Sequence, residues 1–160
     1  MAEEIKVRIR DRKAAERRIT SKGGRFTGEI SVRDSYFNQP AGETLKVTED
    51  DRGNFVVRLH TSNGKFQITE YRRIRDAEKM KRKFGKLYGL KCVLHKKRRF
   101  FSLGKLKINI NVTRELGSFL IVEGENLNKP AVMKALGIQH PDYVTLAFDE
   151  LYARKNKARK

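Results

Sequence analysis

The sequence holds a single cysteine, Cys92, no tryptophan and only three prolines in 160 residues. One thiol excludes an internal disulfide and a cysteine-rich zinc site. Set among Leu90, Val93 and Leu94, Cys92 reads as a small buried hydrophobe rather than a nucleophile. Long apolar runs are missing too. None approaches the ~20 residues of a membrane-spanning helix, and the opening MAEEIKVRIR lacks the apolar centre of a signal peptide. The expected location is therefore cytoplasmic. The three histidines, His60, His95 and His140, have no metal-ligand spacing, and no Gly-x-Ser-x-Gly or Cys–His pairing is present. "GRFTG" and "SNGK" read as turns, because no helix pattern follows either one closely.

Negative charge is also in short supply. Nineteen Asp and Glu face 37 Lys and Arg, a formal net charge of +18. Self-repulsion on that scale opposes compactness, so a polyanionic partner is the simplest reason for it. Nucleic acid is the first candidate, with acidic membranes or acidic proteins after it. Hydrophobic content of 38%, with nine Phe and five Tyr, is enough for one enclosed core and argues against wholesale disorder.

Along the chain, "EIKVRIR" alternates Ile5, Val7 and Ile9 with Glu4, Lys6, Arg8 and Arg10, a strand with one apolar and one charged face. Residues 11–20 read as a helix stopped by "SKGG". Strands are expected in "FTGEISVRDSYFN", "TLKVTE", "NFVVRLHT" and "KFQITEYRRI", separated by turns at "QPAG", "DDRGN" and "SNG". From Asp76 the period changes: Ala77, Met80, Phe84 and Leu87 mark a helix with Asp76 as N-cap and Gly89 as stop. "LKCVLHKKRRFFSL", "KLKININVT" and "SFLIVEGE" resume as strands, and 128–136 and 145–154 read as closing helices. The expected architecture is α+β and rich in antiparallel strands. Residues 1–152 read as one domain and 153–160 as a mobile basic tail. Alternation sends Lys96 and Arg98 to one face and Lys97 and Arg99 to the other. Lys6 with Arg8, Lys65, Arg72, and Lys105 with Lys107 repeat the habit, so at least one sheet face must be wet.

The order of "EIKVRIR", "DSYFN" (34–38), "TLKVTE" (44–49), "ITEYRRIRDAEKM" (68–80), "VLHKKRRFF" (93–101) and "ELGSFLIVEGE" (115–125) resembles the CYTH superfamily. These are the triphosphate tunnel enzymes, which include class IV adenylate cyclases and thiamine triphosphatases. The resemblance covers residues 2–137. It implies an antiparallel β-barrel whose polar tunnel holds a triphosphate between basic side chains, with divalent metal (Mg2+ or Mn2+) on acidic ones. On this resemblance Lys6, Lys46, Lys96 and Arg98 keep phosphate positions, and Glu4, Glu70 and Glu123 keep metal positions. Four carboxylates are lost, at Ala2, Arg72, Asn111 and Ile121, and Thr48 stands where a cation belongs.

With an arginine among the replacements, the charge that would hold a metal is depleted. The leading expectation is a non-catalytic protein that binds nucleic acid, RNA before duplex DNA, largely without regard to sequence and in the manner of an RNA chaperone, through Lys6, Arg8, Lys46, Arg72, Lys96, Lys97, Arg98, Arg99, Lys105 and Lys107. Cations of helices 11–20 (Arg12, Lys13, Arg17, Arg18) and 76–88 (Lys79, Lys81, Arg82, Lys83, Lys86) and of the tail (Arg154, Lys155, Lys157, Arg159, Lys160) could extend that surface. Phe66, Tyr71, Phe100 and Phe101 are candidates to stack unpaired bases, with core packing as the plainer use of each. On this reading no cofactor is needed. The alternatives are an active metal-dependent triphosphatase or nucleotide cyclase acting on a small phosphorylated ligand, and an assembly protein for one structured RNA.

Overall fold

A computed structural model describes residues 2–158. The elements run β1 (Glu3–Ile9), α1 (Arg12–Ser21), β2 (Arg25–Phe37), β3 (Glu43–Asp50), β4 (Gly53–Ser62), β5 (Lys65–Ile74), α2 (Ala77–Tyr88), β6 (Leu90–Leu103), β7 (Leu106–Thr113), β8 (Gly117–Gly124), α3 (Lys129–Ala135), β9 (Asp142–Val144) and α4 (Phe148–Ala158). Every strand pairing is antiparallel. Strands follow the order β5-β4-β3-β2-β6-β7-β8-β1, and β1 returns to β5 through Glu3 and Glu4 opposite Gln67 and Phe66. That return closes an eight-stranded barrel. Beyond it, Lys6, Val7 and Arg8 of β1 pair with Val144, Tyr143 and Asp142 of β9, an outer strand.

The usual polarity of a small barrel is reversed here, and the alternation of β1 shows why. Ile5 and Val7 point outward into an apolar layer with Ile108, Ile110, Leu120 and Val122, covered by Ala15 and Ile19 of α1 and Val132 and Met133 of α3. A second outer layer, Leu45, Val47 and Val56, lies under Phe84 of α2, whose ring meets Phe37 edge-on at 5.5 Å. Truncating Phe84 to alanine costs about 3–5 kcal/mol by the usual penalty for deleting a buried aromatic. Because the greasy faces are spent on the helices, the charged faces are left to line the barrel. Asp11 caps α1 by accepting from the Ala14 amide, and Asp76 caps α2 by accepting from the Lys79 amide.

Two features differ from the sequence expectation. β9 was not anticipated: three residues are too few to show a period, and it forms because the edge of β1 is open there. The closing helix begins at Phe148, not at 145, and continues to Ala158 through most of the segment expected to be a mobile tail. Arg159 and Lys160 lie outside the described residues. No helix among the described residues is long and apolar enough to cross a membrane.

Candidate functional site: a cationic cavity and the outer wall

The barrel encloses a cavity of about 650 Å³. A buried polar cluster forms part of its wall, with Tyr36, Lys46, Thr48 and Arg98 among the lining residues. Asp34, on β2, is fully buried; its Oδ2 accepts from Lys96 Nζ at 2.6 Å and Lys46 Nζ at 3.0 Å, and its Oδ1 from Thr48 Oγ1 at 2.6 Å. Arg98 Nη2 approaches Oδ2 at 3.5 Å, and Lys96 also donates to the Tyr36 hydroxyl at 2.6 Å. Burial by itself works against ionisation of Asp34, but Lys46, Lys96 and Arg98 outweigh it and hold the carboxyl well below the usual range. Lys46, Lys96 and Arg98 thus share one internal carboxylate, and burial, with Lys46 and Arg98 beside it, pushes the Lys96 ammonium well below its usual value despite Asp34.

Lys6 enters the same space from β1. Its Nζ lies 3.6 Å from the centre of the Phe148 ring and 4.4 Å from that of Phe66, while Lys96 reaches the same Phe148 ring at 4.2 Å. Phe148, the first residue of α4, packs with Phe119, Leu94 and Ile121 and closes one end of the barrel as an apolar plug. Burial pushes the Lys6 ammonium down to about 7, against the pull of Glu4 and Asp149. Arg8, on the same face of β1, lies outside the plug with its guanidinium 4.8 Å above Phe119.

Of the acidic positions, Glu4 and Glu123 face each other across the β1–β8 ladder and both line the cavity. Burial and the neighbouring Glu4 raise the Glu123 carboxyl, against Lys107 and Arg98. Glu70 does not join them. β5 takes one extra residue, Thr69, between the pairs Arg58–Glu70 and Leu59–Ile68. This bulge turns Glu70 and Arg72 to the outer wall, where Glu70 accepts from Arg58 at 2.9 Å and Arg72 at 3.0 Å, and brings Tyr71 and Arg73 to the inner side. The expected grouping of Glu4, Glu70 and Glu123 is therefore not formed. Ala2 and Ile121 line the cavity without donors, and Asn111, fully buried, keeps an unpartnered Oδ1. Among the described residues no three His, Cys, Asp or Glu side chains converge as metal ligands. Two carboxylates beside several cations do not fit the donor set of a divalent-metal centre.

The cationic run of β6, residues 96–99, divides as alternation predicts. Lys96 and Arg98 point inward, Lys97 and Arg99 outward. Arg99 is engaged by Glu16 at 2.8 Å and Glu29 at 2.5 Å and covers Phe26. Lys97 is exposed. Lys105 lies in the β6–β7 turn rather than in a strand, and Lys107 lines the cavity opposite Glu123. Phe66 and Phe101 are core residues, whereas Phe100 lines the cavity and Tyr71 is 53% exposed at its mouth.

The strongest outer concentration of charge lies between the end of β5 and α2. An open groove of about 680 Å³ is lined by Arg72, Arg75, Lys79, Arg82, Lys83 and Lys86, together with Arg73, and Asp76 is its one acidic lining residue. The α2 lysines were expected on a surface; Arg73 and Arg75 were not singled out, although "RRIRD" carries the density that could have marked them. Arg52 and Asp34 were missed as well. Asp34 stands in a recognisable motif, but nothing in a one-dimensional pattern says that three cations from separate strands will meet it.

A closed eight-stranded antiparallel barrel with a polar, cation-lined interior is the CYTH-like tunnel fold. No family model matches the chain, and no curated protein matches it. Solved structures do. The PH1012 protein of Pyrococcus horikoshii aligns with a TM-score of 0.84 at 22% identity, covering 94% of this chain and 99% of that one. A candidate adenylate cyclase from Vibrio parahaemolyticus aligns at 0.72 and 14%, over 94% and 97%. A candidate adenylyl cyclase from Hippeastrum, described as having a dominant triphosphatase activity, aligns at 0.66 and 14%, over 97% and 96%. At these identities the likeness is one of fold.

Proposed function

We propose that the protein is a nucleic-acid-binding protein without phosphoryl-transfer activity, and that it holds RNA through the phosphate backbone. The observation that carries this reading is the β5–α2 groove, where six cations besides Arg73 line an open channel with a single carboxylate among them. Cations so placed repel one another until a polyanion neutralises them, and each phosphate contact releases counterions. Lys97 and the exposed cations of α1 extend the same charge around the barrel wall.

The test is anisotropy binding of an unstructured RNA, bearing either a 5′-hydroxyl or a 5′-triphosphate, across a salt series. Equal affinity for both ends is expected, with log K falling against log salt at a slope of about −3 to −4 for five or so phosphate contacts. Reversing Arg82 and Lys83 together to glutamate should weaken binding at least tenfold and flatten that slope. Binding that ignores both salt and these two reversals sinks the reading.

A second reading, hydrolysis or cyclisation of a triphosphate inside the barrel, has one observation in its favour: Glu4 and Glu123 remain opposed beside Lys107 in a cationic cavity. It predicts strong preference for the 5′-triphosphate end and turnover that Glu123→Gln abolishes.

A further inference from the structure

We infer that the mouth of the barrel is a stacking site for one unpaired base of a single-stranded polynucleotide whose backbone lies in the β5–α2 groove. This rests on the nucleic-acid reading and narrows it to strands with free bases. Tyr71 is 53% exposed, yet it does not stand alone. Its ring lies on buried Phe55 with centroids 4.9 Å apart and planes 31° from parallel, so one face is seated and the other is open to solvent. Around Phe55, the Arg73 guanidinium lies 5.3 Å and that of Arg52 5.8 Å from the ring centre, and Arg52 also spans to Phe100 at 5.7 Å.

The guanidiniums are fixed before any ligand arrives. Arg52 is paired with Asp50 at 2.9 Å, and Arg73 Nη2 donates to the Arg52 carbonyl at 2.7 Å. Single exposed aromatics are ordinary on protein surfaces. An aromatic whose buried face is backed by a second ring and two anchored guanidiniums is a built platform, rigid enough to receive a base without ordering cost.

The Thr69 bulge links this platform to the groove. Tyr71 lines the cavity, while Arg73, two residues on, contributes both to the platform and to the groove lining. Arg73 is thus the residue common to both, and on this inference the backbone turns at Arg73 from the groove towards the Tyr71 ring. Bases inside a duplex are already stacked and cannot enter; splayed bases can.

The experiment is a scan of a single-stranded RNA hexamer, whose internucleotide phosphates match the about five contacts expected of the groove and so favour one register, and of its DNA counterpart, with 2-aminopurine at each position in turn, bound to the intact wild-type chain. Stacking on Tyr71 should quench the probe at one or two adjacent positions, and the matched duplex should show no such position. Tyr71→Ala should remove that quenching and weaken single-strand affinity about 5- to 150-fold, the equivalent of 1–3 kcal/mol per stacked base, while Tyr71→Phe should keep both. Strong binding with no position-dependent signal in the wild type overturns the inference and leaves the backbone reading standing. Absence of any binding overturns both. Since the scan is read on the wild type, a Tyr71→Ala chain that fails to fold does not remove the test.

Discussion

Lys96 Nζ and Asp34 Oδ2 lie 2.6 Å apart with both side chains wholly removed from solvent. They link the neighbouring strands β6 and β2 on the inside of the barrel wall, and Lys46 from β3 joins at the same oxygen. Removing one member of a buried ion pair leaves the others uncompensated, at about 3–5 kcal/mol. Asp34→Asn should lose at least that much in urea denaturation, because three cations rather than one would be stranded. Since the carboxyl is held well below its usual range, this contribution should persist through mildly acidic pH and fade only below the ordinary carboxylate value.

Lys6 should make the protein more stable in mild alkali. Its folded-state value is lowered from 10.5 to about 7, so between those limits the unfolded chain binds the extra proton. Stability then rises with pH across that window, and falls again as pH drops towards 7. Urea midpoints measured from pH 6 to pH 10 should climb in the wild type. Lys6→Met, which keeps the stem against Phe148 and Phe66, should reduce that slope and be the more stable chain at pH 6, the remaining slope coming from Lys96, whose ammonium burial also pushes down.

The outward pair on β6 should separate by role. Lys97 is exposed and forms no ion pair among the described residues, so Lys97→Glu should reduce RNA affinity several-fold and leave the melting temperature within the small range of surface changes. Arg99→Glu breaks contacts with Glu16 and Glu29 and the cover over Phe26, and should lower the melting temperature by several degrees. Lys46→Gln, inside the barrel, should cost stability with little effect on RNA affinity. Equal losses of affinity for Lys97→Glu and Lys46→Gln would contradict a binding surface on the outer wall.

Restoring carboxylates should restore metal affinity. Ile121 lies opposite Asn109 of β7 and adjoins Glu123 on the same strand face, and Asn111, two residues along β7, donates its amide to Asn109 Oδ1 at 3.3 Å. Ile121→Glu with Asn111→Asp should bind Mn2+ detectably by electron paramagnetic resonance where the wild type does not, at some loss of stability from the plug around Phe119. Wild-type binding as tight as the variant's would show that Glu4 and Glu123 suffice.

Much of the fold is legible in the residues themselves. Period-two alternation marks β1 and β5, and the change to steps of three and four marks α2, because side-chain direction follows backbone geometry locally. The inward and outward split of Lys96, Lys97, Arg98 and Arg99 follows from that rule alone. Glu70 shows its limit: one bulged residue, Thr69, reverses every later side chain of β5, and no local pattern announces it.

By itself, the sequence determined the charge, the order of strands and helices, and the two-faced strands that make a polar barrel interior unavoidable. Only the tertiary structure decided which cations Asp34 gathers, that Phe148 plugs the barrel, that Glu70 leaves it, and that Tyr71, Phe55 and Arg52 form one stack. Each of these depends on contacts between strands distant in sequence, whose register is set by how whole faces pack and not by any residue's own preference.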